Sequence, residues 1–258
     1  MTLTIITVAS QDSGRLKKTL QSVVGIPPDV EHISVIPSTD QESLNTWNEF
    51  RTSVGTNFRL TNDLGVGVYE AMNVGIASAS KEYICFWNAG DELQELNDSL
   101  QQTLRFLTDE KPGWLLVNGI FKWRENYAPS ERELRNFILH RNRGFVSHQT
   151  TIVSKQFFHK IGCFNSKFRV AADTAVITQL AQLASPSILN VQLVRVEKPN
   201  FAAVNNRRSR LESLLIAIMF LRGGSRIEAV INIIRGELQV FIRKILGSKF
   251  KRYLYNWK

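Results

Sequence analysis

Residues 62–92 read NDLGVGVYEAMNVGIASASKEYICFWNAGDE, and the fold prediction starts from this stretch. A glycine-spaced loop at 63–67 precedes a helix predicted over 68–79, and an apolar run follows at 83–87. The run contains Ile, Cys, Phe and Trp, which is typical of a buried strand. A loop, a helix and a buried strand in this order indicate one unit of an α/β sheet.

The buried strand stops at four small or polar residues, Asn88-Ala89-Gly90-Asp91. Polar residues at the carboxyl end of a parallel strand lie where open α/β sheets bind ligands. Ala89 and Gly90 would let a ligand approach the backbone closely. Asn88 and Asp91 are therefore the first candidates for a binding site. A surface turn explains the same residues, because Asn, Gly and Asp favour turns.

The rest of the chain repeats the alternation of strands and helices. Before the quoted stretch we predict strands at 3–8, 33–36 and 58–60. Helices are predicted between them, over 16–24 with Ser13 as its cap, and from Asp40 to about 54. After the quoted stretch we predict a helix at 96–107, strands at 114–121 and 147–154, helices at 155–161 and 174–183, and further strands within 188–203. Residues 122–147 have only weak periodicity. This order predicts a mainly parallel sheet with helices on both faces.

The net charge of +9 lies entirely in the last fifth of the chain. Residues 207–258 contain 12 Lys and Arg against 3 Asp and Glu, so residues 1–206 are neutral. Two helices are predicted there, at 210–222 and from Ser225, and the second has an apolar stripe with basic residues at its margins. Such a helix fits an anionic membrane surface, and it equally fits a helix packed on the body with a solvated basic face.

Length and cysteine content bound the organisation of the chain. A length of 258 residues suits one α/β domain with an appendage, so we predict a body over 1–206 and a basic amphipathic helical tail over 207–258. No apolar stretch approaches the roughly 18 residues that span a bilayer. Two cysteines form no disulfide framework, which favours a reduced, cytoplasmic setting.

Three segments resemble the motifs of family 2 glycosyltransferases. These are GVYEAMNVGI at 67–76, FWNAGDE at 86–92 and SHQTTIVSKQFFHKIGCFNSKFRVAADT at 147–174. They are most similar to bacterial enzymes that build surface polysaccharides of the capsule, O-antigen and colanic-acid types. The resemblance implies a GT-A fold, with a nucleotide-sugar-binding half at 1–121 and an acceptor half at 122–206. It also implies sugar transfer, with inversion, from a nucleotide-sugar to a saccharide acceptor, which we expect to be lipid-linked at the inner face of the cytoplasmic membrane.

The same resemblance implies roles for particular residues. Asp173 matches the general base, and Asp91 matches a ligand of Mg²⁺ or Mn²⁺. His148 and Gln149 are expected near the acceptor or the diphosphate. The nucleotide-sugar contacts that we expect are Thr7, Ala9, Asp40, Asp63, Asn73, Asn88 and Asp91. Two simpler interpretations stay open: Asp173 as a helix N-cap, and His148–Gln149 as a hydrogen-bonded structural pair.

The sequence also departs from the family pattern. Val35-Ile36-Pro37 stands where the family has an acidic turn, Gly90 replaces the second carboxylate of its D-x-D motif, and Asp63 lies two residues early. A weakly metal-dependent or metal-independent enzyme is one alternative. An inactive nucleotide-sugar-binding or assembly protein is another. Nucleic-acid binding by the basic and aromatic residues 249–258 is a third, but we expect membrane rather than nucleic acid as the partner.

Overall fold

The amino-terminal part of the chain forms a parallel sheet in which β1, β2 and β4 are almost completely buried, whereas β3 is buried only at its two ends. The computed structural model describes residues 2–94, 98–122, 124–140, 145–197 and 206–246. The first four strands are β1 (Leu3–Val8), β2 (Val30–Pro37), β3 (Phe58–Asp63) and β4 (Tyr83–Asn88). They lie in the order β3-β2-β1-β4, and every neighbouring pair is parallel. Their carboxyl ends therefore meet at one edge of the sheet.

The second half extends this sheet with strands of both directions. Its strands are β5 (Glu92–Leu93), β6 (Trp114–Phe121), β7 (Arg124–Tyr127), β8 (Thr151–Ser154) and β9 (Ser187–Val196). The order continues β4-β8-β6-β9-β5, with β7 beside β6. β8 is antiparallel to both β4 and β6, whereas β9 is parallel to β6. The predicted α/β sheet is confirmed, with the parallel pairing concentrated in its first half.

Helices cover both faces of the sheet, as predicted. They are α1 (Ser13–Ser22), α2 (Gln41–Arg51), α3 (Val68–Ser78), α4 (Asp98–Glu110), α5 (Glu131–His140), α6 (Lys155–Ile161), α7 (Ala172–Leu183), α8 (Asn206–Phe220) and α9 (Gly223–Leu246). Alternate residues of β1 separate the two cores: Ile6 and Val8 pack with α3 and α7, whereas Leu3 and Ile5 pack with α4. This alternation follows from the two-residue period of a strand.

Several boundaries differ from the prediction for local reasons. Asp12, not Ser13, caps α1, and its carboxylate accepts a hydrogen bond from the Arg15 N–H. Residues 148–150 form a 3-10 turn instead of the start of β8. The weakly periodic segment contains β7 and α5, and α5 buries only Leu134 and Leu139. The predicted strand residues 198–203 lie outside the described part of the chain.

The tail helices pack against the body with one face and leave the other face exposed. α8 contacts α7, and α9 contacts both α5 and α8. Ile216 joins the large core beneath α3 and α7, while Ala217, Leu221 and Ala229 bury against Leu139 of α5. In the described ranges, no helix combines the length and the apolar character that a membrane crossing requires. Residues 247–258, which carry the predicted aromatic–basic end, lie outside those ranges.

Candidate active site

Asp173 and His148 come together at the carboxyl edge of the sheet, although they are 25 positions apart in the chain. The Oδ2 atom of Asp173 lies 3.4 Å from Nδ1 of His148. Asp173 lies in the first turn of α7, and the N-cap position belongs to Ala171. The interpretation of Asp173 as an N-cap is therefore wrong. Its side chain is 30% exposed and that of His148 is 18% exposed, so solvent and ligands reach both.

His148 connects Asp173 to the end of β4. The 3-10 turn at 148–150 directs its ring between two partners, and Nε2 lies 3.4 Å from the side-chain amide nitrogen of Asn88. With a proton on Nδ1, the ring donates to Asp173 and accepts the Asn88 amide N–H. Both contacts are long, as catalytic hydrogen bonds often are before a ligand closes the site.

Tyr69 completes the cluster and was not predicted as a site residue. Its hydroxyl donates to Oδ1 of Asp173 at 3.4 Å, and its ring stacks on Phe164 at 5.8 Å between centroids. Burial, reinforced by the negative charge of Asp173, raises the pKa of Tyr69 well above its ordinary value. The phenol therefore stays protonated and acts as a donor to the carboxylate. The only sequence signal for Tyr69 as a site residue was that it is the third residue of the GVYEAMNVGI segment.

The Asn88–Asp91 segment is a turn, as the simpler interpretation proposed, but Gly90 and Asp91 are buried rather than on the surface. The N–H of Asp91 donates to the Asn88 carbonyl, and the N–H of Gly90 donates to Oγ1 of Thr19 in α1. Asp91 is 1% exposed, and its two oxygens accept from the backbone N–H groups of Asn88 and Glu197 at 2.8 and 2.9 Å. Asp91 thus fixes the end of β4 to the end of β9.

Burial raises the pKa of Asp91 from its ordinary 3.8 to about 6, and the two backbone N–H groups and nearby His148 oppose this only in part. The folded chain therefore holds this proton more tightly than the unfolded chain, so stability from this group is present at low pH and lost as pH rises through 4 to 6. Asp91→Asn cannot titrate. As pH rises through that interval, the free energy of unfolding of Asp91→Asn should increase relative to that of the wild type by up to about 3 kcal/mol.

Urea unfolding of both proteins between pH 4 and pH 7.5 measures this gain. Asp29→Asn, in the exposed turn before β2, is the matched control for the removal of a surface carboxylate. Parallel curves for Asp91→Asn and the wild type would contradict the assignment of a buried, proton-binding Asp91.

The residues present do not fit a protein-bound Mg²⁺ or Mn²⁺. Both oxygens of Asp91 already accept backbone hydrogen bonds. A side chain at Gly90 would lie 3.2 Å from Glu197 and 3.3 Å from Arg15, and the φ of Gly90 is +102°. The place of the missing carboxylate is thus filled by other side chains. Within the described ranges, no three His, Cys, Asp or Glu side chains group as metal ligands do. Asp91 as a metal ligand therefore stays a prediction that this arrangement does not support.

The side chains of Gln149 and His148 make different contacts. It is buried, its side-chain oxygen accepts from the hydroxyl of Ser147, and its amide contacts the carboxylate of Asp91. Gln149 therefore matches the structural interpretation of the pair, whereas His148 faces the site.

Two residues expected at the nucleotide-sugar are committed to the interior. Thr7 is fully buried, and its hydroxyl contacts Nε2 of His32 at 3.1 Å. The side chain of Asn73 both donates to the carbonyl of Phe164, at 2.8 Å, and accepts from its N–H, at 3.0 Å. Thr7 has no exposed surface that a ligand could reach, whereas the half-buried Asn73 stays a predicted contact of the nucleotide-sugar.

Asp40 and Ala9 shape the edge of the sheet through their backbone partners. Asp40 caps α2 by accepting the Ser43 N–H, and its other oxygen accepts the Gln11 N–H at 2.6 Å. Partial burial alone would raise the pKa of Asp40, but the hydrogen bonds from Gln11 and Ser43 outweigh it and lower the pKa. The N–H of Ala9 donates to Val35. Asp40 thereby holds the loop after β1 beside the start of α2.

Asp63 ends β3 at the same edge of the sheet. It is 6% exposed, and its Oδ1 atom has no hydrogen-bond partner among the described residues. The following loop is open: Leu64 is 88% exposed, and Gly65 and Gly67 have φ of +68° and +146°. A buried carboxylate oxygen without a partner costs free energy until a donor reaches it. An N–H or hydroxyl group of a ligand would satisfy it.

Comparisons with known proteins agree on the fold. No protein-family model matches the chain. A PGL/p-HBAD biosynthesis glycosyltransferase of Mycobacterium bovis is 28% identical over 146 residues, which are 56% of this chain and 56% of that protein. A protein of the same name from Mycobacterium tuberculosis H37Rv matches equally. The chain spans about half the length of the curated relatives it matches.

Solved structures cover more of the chain. Staphylococcus aureus TarS 1–349 with UDP-GlcNAc aligns with a TM-score of 0.67 at 14% identity, covering 100% of this chain and 76% of TarS 1–349. The mannosyltransferase PcManGT of Pyrobaculum calidifontis, with GDP-Man and Mn²⁺, aligns with a TM-score of 0.62 at 14% identity, covering 90% of this chain and 68% of PcManGT. The chain therefore has the GT-A-like fold of these glycosyltransferases.

Proposed function

We propose that the protein is an inverting glycosyltransferase that moves a sugar from a nucleotide-sugar to a lipid-linked saccharide in the synthesis of a bacterial surface polysaccharide. The observation that carries the proposal is the cluster of Asp173, His148 and Tyr69 at the carboxyl edge of the sheet. Related folds hold UDP-GlcNAc in TarS and GDP-Man in PcManGT. Asp63 and Asn88 lie at the carboxyl ends of β3 and β4, which flank β2 and β1 in the parallel half of the sheet, and this edge is where such a donor would bind.

In this proposal, the Asp173 carboxylate takes the proton of an acceptor hydroxyl. The hydroxyl oxygen then bonds to the anomeric carbon, and the bond from that carbon to the diphosphate breaks with its electron pair on the diphosphate. Attack opposite the leaving group inverts the anomeric configuration. Tyr69 and His148 hold the carboxylate from its two oxygens, so its position is set before the acceptor arrives.

The unfilled ligand set at Gly90 and Asp91 leads to an expectation about the donor. Nucleotide binding should not depend on a divalent cation held by the protein. We expect one of UDP, GDP, dTDP and CMP to raise the melting temperature by roughly 5–10 °C at about 100 times its dissociation constant. EDTA in place of Mn²⁺ should change that dissociation constant by less than about three-fold. A metal ion strengthens nucleotide binding when protein carboxylates hold it against the phosphates, and this site does not offer such a set of carboxylates.

Thermal melts with each nucleotide, in Mn²⁺ and in EDTA, test this expectation. A shift that vanishes in EDTA would show that a metal is required and that Asp91 must rearrange. No shift with any of the four would contradict the glycosyltransferase proposal and favour a protein that has lost its nucleotide site. Binding without release of nucleotide from any sugar donor would favour the inactive nucleotide-sugar-binding alternative.

We further propose that the outer face of α8 and α9 lies on an anionic membrane. Exposed apolar residues recur on both helices at the spacing of one helical face: Leu211, Leu215, Ile218 and Met219 on α8, and Ile227, Ile231, Ile234 and Leu238 on α9. Exposed Arg222, Arg226 and Arg235 accompany them, and Lys249, Lys251 and Arg252 follow in the sequence. Apolar residues with flanking cations fit the boundary between acyl chains and anionic headgroups.

Leu215→Asp should weaken binding to vesicles of phosphatidylglycerol and phosphatidylcholine by about 10-fold or more. Leu215 is 50% exposed at the centre of this face, and burial of such a side chain contributes about 1.5–3 kcal/mol. Cosedimentation of the full chain with vesicles measures the change. Val24→Asp, which removes an apolar side chain that is 42% exposed after α1, is the matched control. Equal losses in the two variants would contradict a specific membrane face.

A further inference from the structure

Glu212 of α8 is a buried carboxylate directed at the loop before Asp173. It is 5% exposed. Its Oε1 atom accepts the N–H of Arg169 at 3.0 Å, and its Oε2 atom accepts those of Val170 and Ala171, each at 2.9 Å. One side chain from a tail helix thus holds three consecutive backbone N–H groups of the body.

The carboxylate is charged when it does so. Nε of Arg208, one turn earlier on α8, donates to Oε1 at 2.9 Å. Burial alone would raise the pKa of Glu212, but the backbone N–H groups and Arg208 outweigh it and lower the pKa below its ordinary value. A carboxylate that accepts several backbone N–H groups forms strong hydrogen bonds, because its charge is shared among fixed dipoles.

The three residues that Glu212 holds lead directly into α7. Ala171 is the N-cap residue of α7, and alanine has no side chain to cap the helix. An N-cap side chain would accept N–H groups inside the first turn of the helix. Glu212 instead accepts the N–H of Ala171 itself and those of the two residues before it, and so fixes the backbone from which α7 begins. Asp173 follows two residues later, and its place relative to His148 and Tyr69 depends on that point.

We infer that Glu212 is a positioning residue for Asp173, through which α8 sets the geometry of the active site. The inference rests on the proposed glycosyltransferase function. Glu212 acts on Asp173 through the backbone of 169–171, whose N–H groups donate to it. The proposal predicts a defect in turnover that is separate from nucleotide binding, because the donor edge at Asp63 and Asn88 lies on other elements.

Glu31 provides a matched control. It is 3% exposed, and it accepts hydrogen bonds from the Ser80 N–H, the Thr4 hydroxyl and Arg59, each at 2.8 Å. Its pKa is lowered by the same kinds of partner against the same opposing burial. Glu31 lies toward the amino ends of β1 and β2, opposite the proposed site. Replacing it removes a comparable buried carboxylate without touching the loop before α7.

The experiment compares Glu212→Gln with Glu31→Gln in the full chain. UDP-, GDP- and dTDP-sugars serve as donors with water as acceptor, and nucleotide release gives kcat and KM, while calorimetry gives the Kd of the free nucleotide. We expect Glu212→Gln to lower kcat by about 10–100-fold and to leave the nucleotide Kd within about two-fold. Glu31→Gln should change kcat by less than about two-fold. Hydrogen exchange at 169–174 should accelerate by about 10-fold or more in Glu212→Gln only.

The outcomes separate the two proposals. A wild-type chain that releases no nucleotide from any sugar would overturn the glycosyltransferase function, and this inference with it. An active wild type with equal kcat in the two variants, or a parallel loss of nucleotide affinity in Glu212→Gln, would overturn only the positioning inference. If Glu212→Gln does not fold, Glu212→Asp keeps the charge but shortens the reach, and the same split between kcat and Kd is expected of it.

Discussion

Replacing Asp173 by Asn should lower turnover by about 100-fold or more, while the Kd for nucleotide stays within about two-fold. Asparagine keeps the size of the side chain but cannot accept the proton of an acceptor hydroxyl. The Tyr69 hydroxyl and the Thr174 N–H can still donate to the amide oxygen, which keeps the replacement in place, so the loss reports proton transfer. Steady-state release of nucleotide and calorimetric binding measure the two quantities.

Asp98→Asn is the matched control for this change. Asp98 also lies in the first turn of a helix, α4, and it is exposed. It therefore reproduces the removal of a carboxylate near a helix amino terminus, which alone contributes about 0.3–1 kcal/mol. Turnover of Asp173→Asn near that of the wild type would show that another group accepts the proton, and His148 would be the next residue to replace.

The second large effect concerns stability. Ile216→Ala should lower the free energy of unfolding by about 2–5 kcal/mol, because Ile216 is 3% exposed and belongs to the core shared with α3 and α7. In a chain of this length the melting temperature should fall by roughly 5–15 °C. Denaturant unfolding and thermal melts measure both quantities.

Leu215→Ala, one residue earlier on α8, is its control. Leu215 is 50% exposed, so its truncation should change stability by no more than about 0.5 kcal/mol. If the two variants were equally stable, α8 would not be part of the folded body, and the tail would be the independent appendage that the charge distribution suggested.

The parallel half of the sheet could be predicted because local pattern and tertiary structure agree there. The β-branched and aromatic runs of β1 and β4 are buried on both faces, and such runs have few alternatives. The segment 122–147 could not be predicted in the same way. α5 is amphipathic but short, and of its two buried leucines Leu134 joins the large core while Leu139 packs against α8 and α9. A helix of 10 residues shows only a brief periodic pattern, and its partners in α8 and α9 lie far along the chain.

The site was predicted in part, for a related reason. Motif resemblance pointed to Asp173 and His148, and the structure brings them together. The motif could not indicate that the backbone N–H of Glu197 binds the Asp91 carboxylate, since 106 residues separate them. Glu212 gave no signal at all, because its partners are backbone groups, which have no sequence identity of their own. Tyr69 was counted as a helix residue because its partner lies 104 residues away.

α8 presents neighbouring residues to opposite surroundings: Leu211 and Leu215 face outward, while Glu212 and Ile216 face the body. Protein engineers often improve the solubility of a peripheral enzyme by cutting off its sticky terminal helices. Here that operation would remove Glu212, which holds the loop before Asp173, together with the exposed apolar residues. A variant designed to stay soluble without detergent should keep both helices whole. Only outward residues such as Leu211, Leu215 and Met219 should be replaced by polar ones.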